Sequence, residues 1–120
     1  METYINDLLR IQQQLRIFHW QTKSYARHKA YGEAYDDLSD LIDSFVEVHM
    51  GKYGRFELVK ESIELTNLSD TSVKEFINSS IDYLIGLGAQ LSGDKDTDLL
   101  NIRDEMLQTL NKLKYLLTLE

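Results

Sequence analysis

Apolar side chains recur along this sequence with the period of a helix. Four separate stretches each collect them on one face when turned at about 100° per residue. In the first, Tyr4, Leu8, Ile11, Leu15 and Phe18 follow an i, i+4, i+7, i+11, i+14 pattern. The second aligns Tyr31, Leu38, Ile42, Phe45 and His49, flanked by Ala34, Tyr35 and Leu41. The third runs through Val73, Ile77, Ile81, Leu84, Gly88 and Leu91. Ser72 and Glu75 are predicted to form a capping box at its start, and Gly93 to stop it. The fourth carries Leu99, Ile102, Met106, Leu110, Leu113 and Leu117. It begins among Asp94, Asp96 and Asp98, acids that a helix dipole favours at an N-terminus.

The joins are unequal. Residues Thr22 to Arg27 and Ser92 to Asp96 are short, which predicts antiparallel neighbours. Residues Gly51 to Thr71 form the long join, and Phe56, Leu58, Val59, Ile63 and Leu65 make it too apolar for a free linker. A short helix packed across the bundle is expected there. The predicted fold is all-α, a single domain over residues 1–120. Its form is a four-helix bundle with a crossover between the second and third helices, which is a ferritin-like connectivity.

Composition narrows the chemistry. The chain has 120 residues, no cysteine, no proline and six glycines. Without cysteine there is no disulfide, thiolate metal site or Cys nucleophile. The scarcity of turn residues argues against an all-β protein. Thirteen basic and twenty acidic residues give a net charge of −7, which opposes a diffuse attraction to nucleic acid. No apolar run approaches the roughly 20 residues of a membrane span. Met1, Glu2 and Thr3 open no signal peptide, so an intracellular, cytoplasmic protein is expected.

Two features stand out against this background. Asp36, Asp40, Asp43 and Glu47 form a stripe opposite the core face of the second helix. Like charges at i, i+4 repel by a few tenths of a kcal/mol per pair, roughly. Between Lys29 and Glu47 the helix carries no compensating Lys or Arg beyond Lys29 itself. A basic partner or a metal ion would relieve the stripe; a solvated surface is the plainer reading. On the first helix, Trp20 falls about 160° from the core face, near Ile5 and Leu9. This outward apolar stripe suggests a subunit interface, or else contact with the crossover. His19 lies beside Trp20, and His28 opens the second helix. His49, on the core stripe, reads as a core-edge histidine hydrogen-bonded locally. A Glu-x-x-His pair, the usual mark of an intra-bundle di-iron site, is absent from the sequence.

The segment from His19 to Gly51 resembles the Dps-like miniferritins, the iron-storing, starvation-induced branch of the ferritin superfamily. The carrying residues are the His19-Trp20 pair and His28, then Asp43 fifteen residues later and Glu47 four after that. The intervening apolar positions Tyr31, Tyr35, Leu38, Ile42 and Val46 match in spacing. The fourth helix, from Asp98 to Leu117, is similar to that family's last helix, whereas the crossover matches only in position and length class. The resemblance implies a ferroxidase site between two subunits. His19 and His28 of one chain would face Asp43 and Glu47 of its twofold mate, binding Fe2+ and holding the Fe3+ product, with other divalent metals as further occupants. It also implies a homo-oligomer with a twofold interface, in the largest case a dodecameric cage.

The chain departs from that pattern in three places. The His19–His28 stretch is about three residues shorter than the family's typical stretch, and no Gly follows Lys23. Where the family often has an Asp one turn after the second His, this chain has Gly32, with Glu33 beside it as the substitute metal ligand. No Lys/Arg-rich N-terminal tail is present, so direct DNA binding is not expected. Short, tail-less relatives of this kind fit a phage-encoded or another ferritin-like protein. The rival expectation is a non-enzymatic ferritin-fold structural or adaptor protein whose acidic face docks a basic protein partner. An acidic bundle imitating nucleic acid rests on net charge alone.

Overall fold

The computed structural model describes residues 4–58 and 60–119. It contains four helices, α1 (Tyr4–Gln21), α2 (Tyr25–Tyr53), α3 (Asp70–Gly88) and α4 (Thr97–Leu116), and no strand among the described residues. None of these helices is long and apolar enough to cross a membrane. The faces read from periodicity are the buried ones. Leu8, Leu15 and Phe18 of α1 share one core with Tyr31, Leu38 and Phe45 of α2, Leu84 and Leu87 of α3, and Leu99, Met106, Leu110 and Leu113 of α4. Phe18 anchors it, with its ring edge-on to Phe76 at 5.6 Å and tilted against Tyr31 at 5.8 Å.

Side-chain contacts fix the directions of the helices. Gln12 meets Ser39 and Tyr4 meets His49, so α1 and α2 are antiparallel. Arg27 at the start of α2 reaches Leu117 beyond the end of α4, while Tyr53 at the end of α2 reaches Asp96 before the start of α4. Lys114 bonds Asn78, and Arg103 donates to the carbonyls of Leu84 and Ile85, setting α4 against α3. Every neighbouring pair is therefore antiparallel, and the diagonal partners α2 and α3 run the same way. Arg27 lies 4.0 Å from Asp70, which places the starts of α2 and α3 at one end.

This arrangement decides the conformation of the join. The 29 residues of α2 extend about 43 Å at 1.5 Å per residue. The sixteen residues 54–69 must return along most of that length. As a helix they would cover only about 24 Å, whereas an extended chain at about 3.3 Å per residue reaches comfortably. The described residues of the segment contain no helix, so the expected short helix is corrected. Among the apolar residues that suggested it, Phe56 is half-buried, Leu58, Ile63 and Leu65 are exposed, and Val59 lies outside the described residues.

Polar clamps hold the crossover in place of a packed helix. Gln14, only 1% exposed, donates from Nε2 to the Thr66 carbonyl (2.9 Å) and accepts at Oε1 from the Thr66 N–H (2.8 Å). Two turns later, Gln21 accepts from the Leu68 N–H (2.6 Å) and donates to Asn67 Oδ1 (2.8 Å). A primary amide presents one donor and one acceptor side by side, so it pairs with an extended peptide as a neighbouring strand would.

The caps differ in detail from the sequence expectation. The capping box at α3 is Ser69 with Ser72, each hydroxyl accepting the other's backbone N–H at 2.9 Å. It is not Ser72 with Glu75, because the helix begins at Asp70. Helix α3 ends at Gly88, five residues before Gly93. Gly54 terminates α2 with φ of 89°, a left-handed conformation that favours glycine. Ile5 is buried, so only Leu9 and Trp20 remain of the proposed outward stripe, and Leu9 is itself half-buried.

Replacing Gln14 by Ala leaves both Thr66 backbone groups without their amide partner. We expect a loss of about 1–2 kcal/mol in urea unfolding. Limited trypsin cleavage after Arg55 and Lys60 should accelerate in the same variant, whereas Gln13→Ala, at an exposed neighbouring position, should change neither.

Candidate functional site

Helices α1 and α2 are joined by only three residues, Thr22, Lys23 and Ser24, and this tight turn brings His19 and His28 face to face. Ser24 caps α2 by accepting from the Arg27 N–H. The last carbonyls of α1 lack helical partners, as at any helix C-terminus. His28 Nδ1 lies 2.8 Å from the His19 carbonyl, and His19 Nδ1 lies 2.7 Å from the His28 carbonyl. A carbonyl only accepts, so each Nδ1 carries its proton. In the neutral tautomer this leaves the lone pair on Nε2, the arrangement that outer hydrogen bonds impose on ligating histidines. The rings stack at 3.8 Å with planes 18° apart, and Tyr25 extends the stack over His28.

Gly32 makes room for this stack. A Cβ there would sit 3.0 Å from His19 Cε1 and 3.1 Å from His19 Nδ1, closer than ordinary van der Waals contact. The glycine that departs from the miniferritin pattern thus follows from the position of the His19 imidazole.

The seam between the two helices continues from the histidine pair. The Arg16 guanidinium lies over the Trp20 ring at 5.0 Å and over the Tyr35 ring at 4.8 Å. Gln12 donates to Ser39 at 3.0 Å. Trp20 is 62% exposed, and its described ring contact is this guanidinium rather than the crossover. Asp36, Asp40, Asp43 and Glu47 are all exposed, Asp40 in a cavity shared with Glu105 and Lys112 of α4, and none enters an ion pair found among the described residues.

One chain does not unite the sequence-predicted ligands. His19 and His28 are together, but Asp43 lies fifteen residues beyond His28, about 22 Å along the same helix. Glu33 turns toward α4, where it lines a small cavity with Asp37 and Lys112. Among the described residues no group of three or more His, Asp and Glu could hold a metal ion. The structure therefore supplies a two-imidazole pair at the α1–α2 turn and separate exposed carboxylates farther along α2.

A second polar cluster lies at the far end of α2 and went unread in the sequence. Asp96 is buried, accepting from the Tyr53 hydroxyl and the Ser92 N–H, with Lys52 Nζ 3.7 Å away and bonded to Asp98 at 3.0 Å. The Tyr53 bond, then the Ser92 bond, hold the Asp96 carboxyl below the usual carboxylate range. The regular run of acids before α4 concealed that one of them turns inward. His49 packs between Tyr4 (4.9 Å) and Tyr53 (5.0 Å). Its buried Nδ1 has no hydrogen-bond partner among the described residues, which corrects the expected local bond. Burial lowers its pKa from the ordinary 6.5, with Asp96 opposing.

A family model described as "Family of unknown function (DUF5856)" matches residues 19–117. The chain is similar to the "Uncharacterized 14.6 kDa protein in mobD-ri intergenic region" of Enterobacteria phage T4. The two are 29% identical over 119 residues, covering 99% of this chain and 88% of the phage protein. No solved structure matches.

Glycine substitutions test the stack. Gly51 and Gly86 lie in helices with nothing within 4 Å of an added Cβ. Their change to Ala should stabilise by about 0.5–1 kcal/mol through helix propensity. Gly32→Ala should forfeit that gain by displacing the His19 imidazole that fills the space, leaving a thermal midpoint at or below wild type. His49 tests the far cluster. Its lowered folded pKa means the unfolded chain binds the extra proton, so its contribution is complete above about pH 6.5 and is lost as pH falls through the folded value. In urea titrations, His49→Phe should flatten the decline of stability from pH 7 to pH 5.

Proposed function

The chain belongs to the DUF5856 family of unknown function, and we propose that it is a Dps-like miniferritin. In this reading it binds and oxidises Fe(II) between twofold-related copies. The observation that carries the reading is the histidine pair, whose reciprocal Nδ1 bonds leave two Nε2 lone pairs free at the outer α1–α2 seam. A row of exposed carboxylates, in no ion pair among the described residues, runs along the same helix α2. The diagonal crossover and antiparallel neighbours support a ferritin-like bundle as its frame.

A twofold axis crossing α2 near its middle, around Asp36 and Asp37, would lay two α1–α2 faces against each other in opposite directions. The His19–His28 pair of each copy would then approach Asp43 and Glu47 of its mate, and the contact would hold two equivalent sites. Arg16 would bring positive charge to the acids crowded near the axis. Rings stacked in nearly parallel planes cannot aim both lone pairs at one ion. Each imidazole would serve its own iron, and ions of a two-metal site stand roughly 3.5–4 Å apart, close to the ring separation. Carboxylates and imidazoles suit Fe(II) and retain the harder Fe(III).

Two Fe(II) ions supply the two electrons that, with two protons, split peroxide into two waters; dioxygen is the other oxidant. The Fe(III) product would pass to acidic surfaces of the assembly, up to a cage. Trp20, next to His19, would intercept a stray oxidising equivalent. The phage T4 relative fits a phage-encoded source. The exposed acidic stripe also favours a second reading, an adaptor that docks a basic partner through α2 without metal.

Fe(II) oxidation by the wild type, with peroxide or oxygen, should fall at least tenfold in His19→Ala and in Asp43→Ala. Equal rates in all three would sink the proposal and leave the adaptor reading. Refolding the two variants together should restore activity, because every mixed dimer regains one intact site. With half of the dimers mixed, about a quarter of wild-type activity is expected. Metal content and solution mass on the same samples read the site and the assembly independently.

A further inference from the structure

We propose that the cleft between the first half of α3 and the last half of α4 binds a small anionic amphiphile, a molecule with one carboxylate or phosphate head and a short apolar body. The cleft has a volume of about 330 Å³, at the lower end of the roughly 300–1,000 Å³ of small-molecule pockets. Its floor is apolar, formed by the buried Val73 and Ile77 and by Leu117. Three cations stand around it, Arg27, Lys74 and Lys114, against one acid, Asp70. In a chain with net charge −7, that is a local reversal of sign.

The cations are differently engaged. Arg27 donates to the Leu117 carbonyl at 3.4 Å and lies 4.0 Å from Asp70, whose carboxylate is open to solvent and therefore screened. Lys114 donates to Asn78 Oδ1 at 3.2 Å. Lys74 has neither hydrogen bond nor ion pair among the described residues. Lys74 and Asn78 are one turn apart on α3, so the free ammonium and the Lys114–Asn78 pair border the same opening. A head group placed there meets two exposed ammonium groups, and the body attached to it lies on the apolar floor.

Both halves of the ligand are needed. A bare anion would leave the apolar floor unused, and a neutral chain would leave the ammonium groups without partners. A polyanion such as nucleic acid would gain from the cleft but meet the excess of acid elsewhere on the surface. Limited volume favours a body of about eight carbons over a full-length acyl chain. The same head chemistry could belong to a free acid or to a membrane lipid.

The test titrates the intact protein with octanoate, octyl phosphate and octanol, following backbone amides by NMR, and separately with vesicles containing an anionic phospholipid. Saturable binding of both anions is expected, with shifts centred on Val73, Lys74, Ile77, Asn78 and Lys114. Affinity for octanol should be at least tenfold weaker. The double variant Lys74→Gln/Lys114→Gln exchanges two exposed ammonium groups for neutral amides and should weaken octanoate at least tenfold while leaving the thermal midpoint unchanged. Octanoate that fails to saturate, shifts centred elsewhere, or an unchanged affinity in the double variant would overturn the proposal. So would binding to vesicles without binding to octanoate. Neither lysine touches His19, His28, Asp43 or Glu47, so iron oxidation and amphiphile binding can fail separately.

Discussion

The crossover's reach constrains the rest of the fold. Once α2 and α3 lie diagonally and run in the same direction, the sixteen intervening residues must travel nearly the length of α2. Most of them must be extended to do so, and the described ones contain no helix. An extended segment has peptide groups that no helix satisfies, and α1 answers with Gln14 and Gln21, seven residues apart on one face. The clamps press the crossover onto α1 and free the α1–α2 seam on the other side.

Helix positions were legible because each helix buries one stripe, and burial writes a period of 3.6 into the sequence. Tyr4 to Phe18, and Tyr31 to Phe45, are buried as their spacing requires. The crossover was misread for a related reason. Phe56, Leu58, Ile63 and Leu65 carry the same hydrophobicity as core residues, yet hydrophobicity does not encode distance. Arithmetic limits the reading: a long α2 and a parallel α3 require most of the sixteen residues between them to be extended. Gln14 was illegible for the opposite reason, since a glutamine on an apolar helix resembles a tolerated edge residue until its peptide partner is known.

The histidines show both what local spacing reveals and where it stops. His19 and His28 flank a three-residue turn, which was enough to suspect that they meet at one corner. Their reciprocal backbone bonds depend on the orientation of two helix ends and could not be read from spacing. Asp43 and Glu47 were correctly read as outward-facing, and their separation from the histidines along α2 is a matter of helix rise. Asp96 was read only as one of several acids favourable to a helix start, whereas it is the buried junction of Tyr53, Ser92 and Lys52.

The Nδ1 bonds of His19 and His28 carry an entropic consequence. Freezing an imidazole into one rotamer normally counts against whatever binds it. Here that ordering is complete when the turn between α1 and α2 forms, because each ring is already fixed to the other helix's backbone. A species that binds the free nitrogens meets a preorganised pair and spends little of its affinity on immobilising side chains. By the same linkage, occupancy adds to the stability of the turn and ties α1 more firmly to α2. For any species bound there, ligand concentration and folding equilibrium would be coupled through two bonds, each from an imidazole of one helix to the backbone of the other.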